Sequence, residues 1–435
     1  MSENLKLWDI IDSFISGDWG NEEESPEVPC CVSCIRGADI VPICNSDFDN
    51  IPIRYISNRS FTTHCLQEGD IIVEKSGGSP TQSTGRVVYI SKELLAAKHD
   101  IVCSNFCVAF RVKPEWNSLY IYYYLRNVYN AGVFFNFEGK TSGIKNLDIE
   151  TAFKAIPIKA IAMETQISIA TAISCLDKKI ALNRAINDNL EAMAKQLYDY
   201  WFVQFDFPHE DGKPYKSSGG KMVWNEKLKR EIPEGWNVVN LIDFAEIKNG
   251  ATPSTANPLN YGGDIIWITP KDLSDQQSKF VYRGERNISQ LGYDSCSTNL
   301  LPANSVLLSS RAPIGLVSIA KAELCTNQGF KNLVPHDANN SLYLYYYIKY
   351  HIRQIEQLGT GTTFKEVSRE DLCKFPILMP CNTLGYLLWV ERMAQIADEQ
   401  FILTKEIATL TKQRDELLPL LMNGQVSVNY HLSHD

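Results

Sequence analysis

Ser118-Leu119-Tyr120-Ile121-Tyr122-Tyr123-Tyr124-Leu125 returns in the second half of the chain as Ser341-Leu342-Tyr343-Leu344-Tyr345-Tyr346-Tyr347-Ile348. Weaker matches on either side keep the same order. Leu66-Gln67-Glu68-Gly69-Asp70-Ile71-Ile72-Val73 answers Leu301-Pro302-Ala303-Asn304-Ser305-Val306-Leu307-Leu308, and Gly85-Arg86-Val87-Val88 answers Gly315-Leu316-Val317-Ser318. Cys103-Ser104-Asn105 answers Cys325-Thr326-Asn327, and Lys145-Asn146-Leu147 with Ile156-Pro157-Ile158 answers Lys365-Glu366-Val367 with Phe375-Pro376-Ile377. A repeat of this length is a duplicated domain, because solenoid periods run to about 20 to 50 residues. Each half reads as short β-branched strands and Gly/Ser/Thr-rich loops followed by one tyrosine-bearing helix, an α+β globule. The tyrosines are expected to fall on more than one helix face, some packed inward and some covering the surface.

A long helix is expected after each globule. Ile169, Ile173, Leu176, Ile180, Asn183, Asn187, Leu190, Ala194, Leu197 and Trp201 alternate spacings of four and three, the seam of a coiled coil. Met393, Ile396, Gln400, Leu403, Ile407, Leu410, Arg414, Leu417 and Leu421 repeat the pattern near the C-terminus. The fold expected is therefore two globular domains separated by two long helices that pair as an antiparallel coiled coil, with pseudo-twofold symmetry. The segments are 1–163, a first globule; 164–205, a central helix; 206–385, a second globule; 386–424, a distal helix; and 425–435, a tail. Asn183 and Asn187 sit on seam positions, where a polar residue costs stability and fixes register, unless the seam shifts locally and leaves them in water. A straight helix from Ile167 to Trp201 spans about 50 Å at roughly 1.5 Å per residue. Globules at its ends would stand about one and a half turns of B-DNA apart.

The 435 residues, 44% hydrophobic and 21% charged, are those of a soluble globular protein with two or three domains. No stretch approaches the roughly 20 apolar residues of a membrane span, and the first residues lack a signal-peptide layout, so a cytoplasmic location is expected. The net charge of −9 argues against indiscriminate coating of nucleic acid, which is driven by phosphate neutralisation, but not against selective binding by one basic face. Twelve cysteines, densest at Cys30-Cys31-x-x-Cys34, lack paired zinc spacing and clustered histidines, so reduced thiols and no metal are expected.

Catalytic motifs are not found. The chain carries no Gly-x-x-x-x-Gly-Lys-Ser/Thr loop, no Gly-x-Ser-x-Gly elbow, no His-Glu-x-x-His and no Asn/Asp-Pro-Pro-Tyr motif of DNA amino-methyltransferases. A two-headed chain of this kind is expected to recognise a target and not to transform it.

In the second half, Ile232-Pro233-Glu234-Gly235-Trp236, Gly250-Ala251-Thr252-Pro253, Tyr261, Ile266-Trp267-Ile268-Thr269-Pro270-Lys271-Asp272, Ser309-Ser310-Arg311-Ala312-Pro313-Ile314-Gly315 and Thr326-Asn327-Gln328-Gly329-Phe330 form an ordered set. That set resembles the target recognition domain of the DNA specificity subunits of type I restriction-modification systems. Trp19-Gly20, Ile35-Arg36-Gly37-Ala38-Asp39-Ile40, Arg54-Tyr55-Ile56-Ser57, Gly69 to Gly78 and Gly85-Arg86-Val87 resemble a diverged domain of the same family that lacks the Thr-Pro loop. The helix ending Trp201-Phe202-Val203 and the stretch Leu417 to Val428 look like the family's central and distal conserved regions. The resemblance covers nearly the whole chain. It implies a non-catalytic subunit whose two domains each recognise half of a bipartite, asymmetric site in double-stranded DNA. It further implies two methyltransferase subunits and two ATP-driven restriction subunits as partners, with S-adenosylmethionine, ATP and Mg bound by them and no cofactor on this chain. A pseudo-twofold chain offers two nearly equivalent docking surfaces to two copies of one partner.

Base reading needs side chains that match donor and acceptor edges, carried on loops that approach closely. In the second domain the candidates are Thr252, Tyr261, Lys271, Asp272, Ser310, Arg311, Asn327, Gln328, Thr360, Thr362 and Lys365; in the first they are Arg36, Lys75, Ser76, Arg86, Asn105, Lys140, Thr141 and Lys145. The basic members could equally grip phosphate, which positions without selecting sequence, and Asp272 could instead orient a neighbouring lysine. Trp267, beside isoleucines, is expected in the core. Competing readings are a self-sufficient endonuclease or methyltransferase, a coiled-coil scaffold that binds proteins, and a specificity subunit of a methylation-only system.

Overall fold

The computed structural model describes residues 5–77, 82–98, 100–141, 144–209, 212–311, 313–360, 365–380 and 384–428. They divide into two units, Met1–Asn183 with Ile407–Asp435, and Arg184–Glu406. Each unit thus combines a globule with part of both long helices.

The globule of the first unit is built on a four-stranded antiparallel sheet ordered Ile11–Ser16, Cys107–Val112, Ile71–Glu74, Val87–Tyr89. A second sheet runs Ile53–Ile56, Cys30–Ile35, Ile101–Cys103, the last pair parallel. Strand Ile71–Glu74 lies between two neighbours and is buried along its whole length, which its Ile-Ile-Val run suits. The other globule repeats this topology. Its main sheet runs Ala245–Asn249, Phe330–Pro335, Val306–Ser310, Ile314–Ala320, extended by Phe280–Val281, and its small sheet runs Arg286–Ile288, Tyr261–Ile268, Cys325–Thr326, again with the last pair parallel. Matching strand orders in both sheets establish that the sequence repeat is a fold repeat.

The duplication reaches elements whose sequences barely match. Leu7–Ile10 and Leu241–Phe244 are short helical turns at the same place in the two globules. In each, the third residue's carboxylate accepts from the backbone ahead of the turn, Asp9 from the Lys6 N–H at 2.9 Å and Asp243 from the Asn240 N–H at 3.3 Å.

The tyrosine helices are Ser118–Asn130 and Ser341–Tyr350. The expected split between inward and surface faces does not hold in the second: Tyr343, Tyr345, Tyr346 and Tyr347 are all buried. Their hydroxyls find partners inside, which makes full burial affordable. Tyr347 donates to the Pro376 carbonyl at 2.9 Å, and its counterpart Tyr124 donates to the Pro157 carbonyl.

The central helix runs Met163–Tyr198 and ends in a wider π turn, Asp199–Val203; the distal helix runs Leu384–Met422. In the first unit Ile169 and Ile173 share a core with Leu418, Leu421 and Met422. In the second, Glu191 meets Gln400 while Phe202 packs edge-on to Trp389 with centroids 4.9 Å apart, so the paired segments are antiparallel. The expected seam is the buried side: Ile180, Asn183, Ala194, Met393, Gln400 and Leu403 are nearly inaccessible. Leu417 is the exception. It is exposed and Leu418 is buried in its place, beside the helix-interior Pro419.

Candidate nucleic-acid interface

At one end of each main sheet, two loops converge on a third. In the second unit the tip Asn327-Gln328-Gly329 joins Cys325–Thr326 to Phe330–Pro335, and the Gly329 N–H donates to Asn327 Oδ1 at 2.9 Å to close it. Gly250, just past strand Ala245–Asn249, lies so close that a Cβ there would stand 2.1 Å from the Asn327 carbonyl oxygen. The contact places exposed Thr252 beside exposed Gln328, to whose side-chain oxygen its hydroxyl donates. In the first unit the tip is Ser104-Asn105-Phe106, and a Cβ on Gly17 would stand 2.0 Å from the Ser104 carbonyl oxygen. Gly17 and Gly250 hold the same place, so Trp19 answers Thr252 and Phe106 answers Gln328.

A second loop pair meets the end of the central strand. Arg311 bridges Glu366 through the backbone, with its guanidinium 4.0 Å from the Glu366 carboxylate, and Lys331 reaches the same carboxylate at 3.1 Å. Thr360 pairs with Glu366 through the backbone, and Lys365 is exposed beside it. The first unit has Ser76 paired with Asn146 at this position, joined by a 2.5 Å side-chain hydrogen bond. Asn105, Lys75, Arg36, Ser76 and Arg86 lie around the same end of the globule, and all but Lys75 line one groove of about 600 Å³ with Trp19 and Phe106.

Several candidates are committed to holding the fold. Asp272 is buried; it accepts from the Thr269 N–H at 2.7 Å and the Glu285 N–H at 2.6 Å, closing the first turn of helix Pro270–Gln276. Its counterpart Asp39 accepts from the Arg36 N–H at 2.8 Å. The expectation that Asp272 meets a base, or orients a lysine, is corrected to helix capping. Ser310 is inaccessible and its hydroxyl donates to the Gly329 carbonyl at 3.2 Å, so it fixes the tip and offers no edge to a ligand. Lys145 is buried, 3.4 Å from Glu138 and 3.1 Å from the Gln82 carbonyl, and it too is structural. Tyr261 is half-buried with its hydroxyl donated to the Pro253 carbonyl at 2.7 Å, which shapes the Thr252 loop. Trp267 is in the core as expected, its indole donating to the Ala251 carbonyl at 3.1 Å.

Other candidates keep an open face. Lys271 is exposed and paired with Glu285 at 2.9 Å. Arg36 and Arg86 each make a bidentate pair, with Asp39 at 2.9 and 2.7 Å and with Glu74 at 2.8 and 2.5 Å. These hydrogen bonds raise both guanidinium pKa values and fix their planes. Thr362 lies outside the described residues, and Lys140 and Thr141 contribute backbone to strand Glu138–Thr141 with side chains likewise outside the description. Sequence reasoning missed Phe106 and Trp19, which line the groove of the first unit. Extending the match of Asn105 with Asn327 by one residue would have found Phe106 opposite Gln328.

Away from this face the described cysteines are free thiols, and burial pushes Cys34 and Cys107 up to about 12. Among the described residues no helix is long and apolar enough to cross a membrane.

The model of the type I restriction modification DNA specificity domain matches residues 39–192 and 233–417. The MjaIX specificity subunit of Methanocaldococcus jannaschii is 41% identical over 166 residues, 37% of this chain and 38% of that protein's length. The HindI specificity subunit of Haemophilus influenzae is 27% identical over 315 residues, 60% of this chain and 67% of that one. The S subunit of a type I restriction-modification system from M. genitalium shares the fold with a TM-score of 0.59 at 15% identity, covering 97% of each chain. With two family segments lying on two copies of one fold, the chain belongs to the type I restriction-modification DNA specificity family.

Proposed function

We propose that this chain is the non-catalytic DNA-reading subunit of a type I restriction-modification assembly. Each globule binds one half of a bipartite, asymmetric site in double-stranded DNA, and the chain carries methyltransferase and restriction subunits to that site. The observation that carries this reading is the contrast at equivalent positions of the loop face. One frame presents Thr252, Gln328 and Arg311–Glu366, while its duplicate presents Trp19, Phe106 and Ser76–Asn146. A conserved frame with exchanged side chains is what two readers of different sequences require, since base edges are told apart by donor, acceptor and methyl patterns. Thr252, Lys271, Arg311, Asn327, Gln328, Thr360 and Lys365 in one globule, and Arg36, Lys75, Ser76, Arg86 and Asn105 in the other, are the groups proposed to face DNA. The basic ones are divided between phosphates and bases.

The paired helices are proposed to dock two methyltransferase subunits, which bring S-adenosylmethionine, and two restriction subunits, which bring ATP and Mg; the cytoplasm is the proposed location. Co-expression with a methyltransferase partner and genome-wide mapping of modified adenines tests the reading. One bipartite motif is the expected result; modification without a motif, or by the chain alone, would overturn it.

A further inference from the structure

We infer that the tip Asn105-Phe106 reads an A·T pair in the half-site of the first globule, with the Phe106 ring covering a thymine C5-methyl group. The inference deepens the proposed function and rests on that reading.

Phe106 is 55% exposed, yet it sits at the end of a buried β-frame and lines a groove. An exposed phenyl ring at the place where the duplicate domain carries Gln328 is a change of chemistry at a reading position, not a lost core residue. The neighbouring Asn105 is exposed, and its side-chain amide has no hydrogen-bond partner among the described residues. An asparagine amide offers one acceptor and one donor side by side, which match the N6 amino group and N7 of adenine. The counterpart Asn327 differs, because its oxygen is already taken by the Gly329 N–H.

The rest of the groove argues against guanine. Reading O6 and N7 calls for a free cationic fork, and the Nε–Nη2 edge of each guanidinium here is taken by a carboxylate, Arg36 by Asp39 and Arg86 by Glu74, which leaves these two arginines suited to phosphate and not to guanine. What remains uncommitted beside Asn105 is exposed Lys75 outside this groove, a point charge suited to a phosphate, and within the groove the ring of Phe106 and a wall that includes Trp19, Gly37 and Ala38. Trp19 is itself held by the Arg54 guanidinium, 4.1 Å above its ring. A methyl group is the one apolar feature a base pair shows in the major groove, and it belongs to thymine.

The test uses the full chain in complex with its methyltransferase partner on a duplex bearing the mapped site. Replacing the thymines of the first globule's half-site by uracil removes only methyl groups. Wild type should bind the uracil duplex about fourfold more weakly, the scale of one buried methyl group. Phe106→Ala should lose the same factor on thymine DNA and nothing further on uracil DNA, while Asn105→Ala should relax selection at that one base pair. Wild-type indifference to uracil overturns the inference, as does a half-site without an A·T pair. Equal loss by Phe106→Ala on both duplexes, the mark of a sequence-blind wedge, overturns it as well. In each case a complex that still modifies one bipartite motif leaves the proposed function standing, so the two failures are distinguishable.

Discussion

Tyr123 donates its phenolic hydrogen to the Asp177 carboxylate across 2.9 Å. The same carboxylate accepts from Arg126 at 2.7 Å and from Arg414 of the distal helix at 2.9 Å. The other unit repeats the device with different side chains. Tyr346, the counterpart of Tyr123, donates to Glu191 at 3.0 Å, and Lys349, the counterpart of Arg126, stands 3.8 Å from it. Gln400 of the distal helix donates to Glu191 at 3.1 Å, in the role of Arg414. In each unit, then, one carboxylate of the central helix fastens the tyrosine helix and the distal helix together.

Tyr123→Phe and Tyr346→Phe should each destabilise their own unit by about 1.5 to 3 kcal/mol, the range for a hydrogen bond to a charged acceptor. Denaturant unfolding of the full chain measures the loss. No change in either variant would mean that the hydroxyls are replaced by water at no cost.

Lys279 makes the second anchor sensitive to pH. Its ammonium is buried against Glu191 at 3.2 Å, the Tyr346 hydroxyl at 2.6 Å and Gln400 at 2.9 Å. Burial pushes its pKa down to about 8 from 10.5, with Glu191 acting in the opposite direction. Burial also raises the Glu191 carboxyl, but Lys279, Gln400 and Lys349 outweigh it and leave that pKa below its usual value. A depressed lysine means that the unfolded chain binds more protons between pH 8 and 10.5, so this group's contribution to stability rises with pH across that window and is lost as pH falls through 8. Relative to Lys279→Met, the wild type should gain about 1.5 kcal/mol between pH 8 and pH 9.5. Parallel pH-dependent melts check the difference, in which the titrations of thiols and other tyrosines cancel.

Gly250→Ala and Gly17→Ala should each displace a reading tip, because the added carbon would overlap a backbone carbonyl at 2.1 and 2.0 Å. Each should cost about 1 to 3 kcal/mol and weaken recognition of one half-site. Binding assays on duplexes with either half scrambled separate the two effects, and equal loss at both halves would sink the two-reader model.

Arg311→Ala should weaken binding to the second globule's half-site only. If Arg311 reads a base the loss is about 1 to 3 kcal/mol and selectivity relaxes at one position; if it grips phosphate the loss is uniform and the salt slope falls by about one. A salt titration with matched and mismatched duplexes decides between these roles.

Asn183 is inaccessible, and both polar atoms of its amide lack a partner among the described residues. Asn183→Leu should therefore raise stability by about 1 to 3 kcal/mol in denaturant unfolding. A loss of stability would show that the amide is satisfied in solution, for example by a buried water molecule.

The sequence by itself determined the duplication, the α+β class, the seams of both long helices and the absence of known catalytic motifs. Those are properties of pattern. The periods of apolar residues dictate which faces must be buried, and matching fragments in one order imply one frame used twice. It also located the tips, because Asn105 and Asn327 stand at matched positions.

Only the tertiary structure decided which polar residues remain free to act. Asp272 and Ser310 read as candidates because their types suit DNA, yet backbone groups brought near by folding consume their hydrogen-bonding capacity. The tyrosines read as framework, and folding made several of them anchors by delivering Asp177, Glu191, Pro157 and Pro376 to their hydroxyls. Phe106 carries no polar signal at all and stands out only because the fold leaves it exposed where its counterpart is Gln328. Burial and hydrogen-bond satisfaction depend on partners far away in the chain, and pattern alone does not contain them.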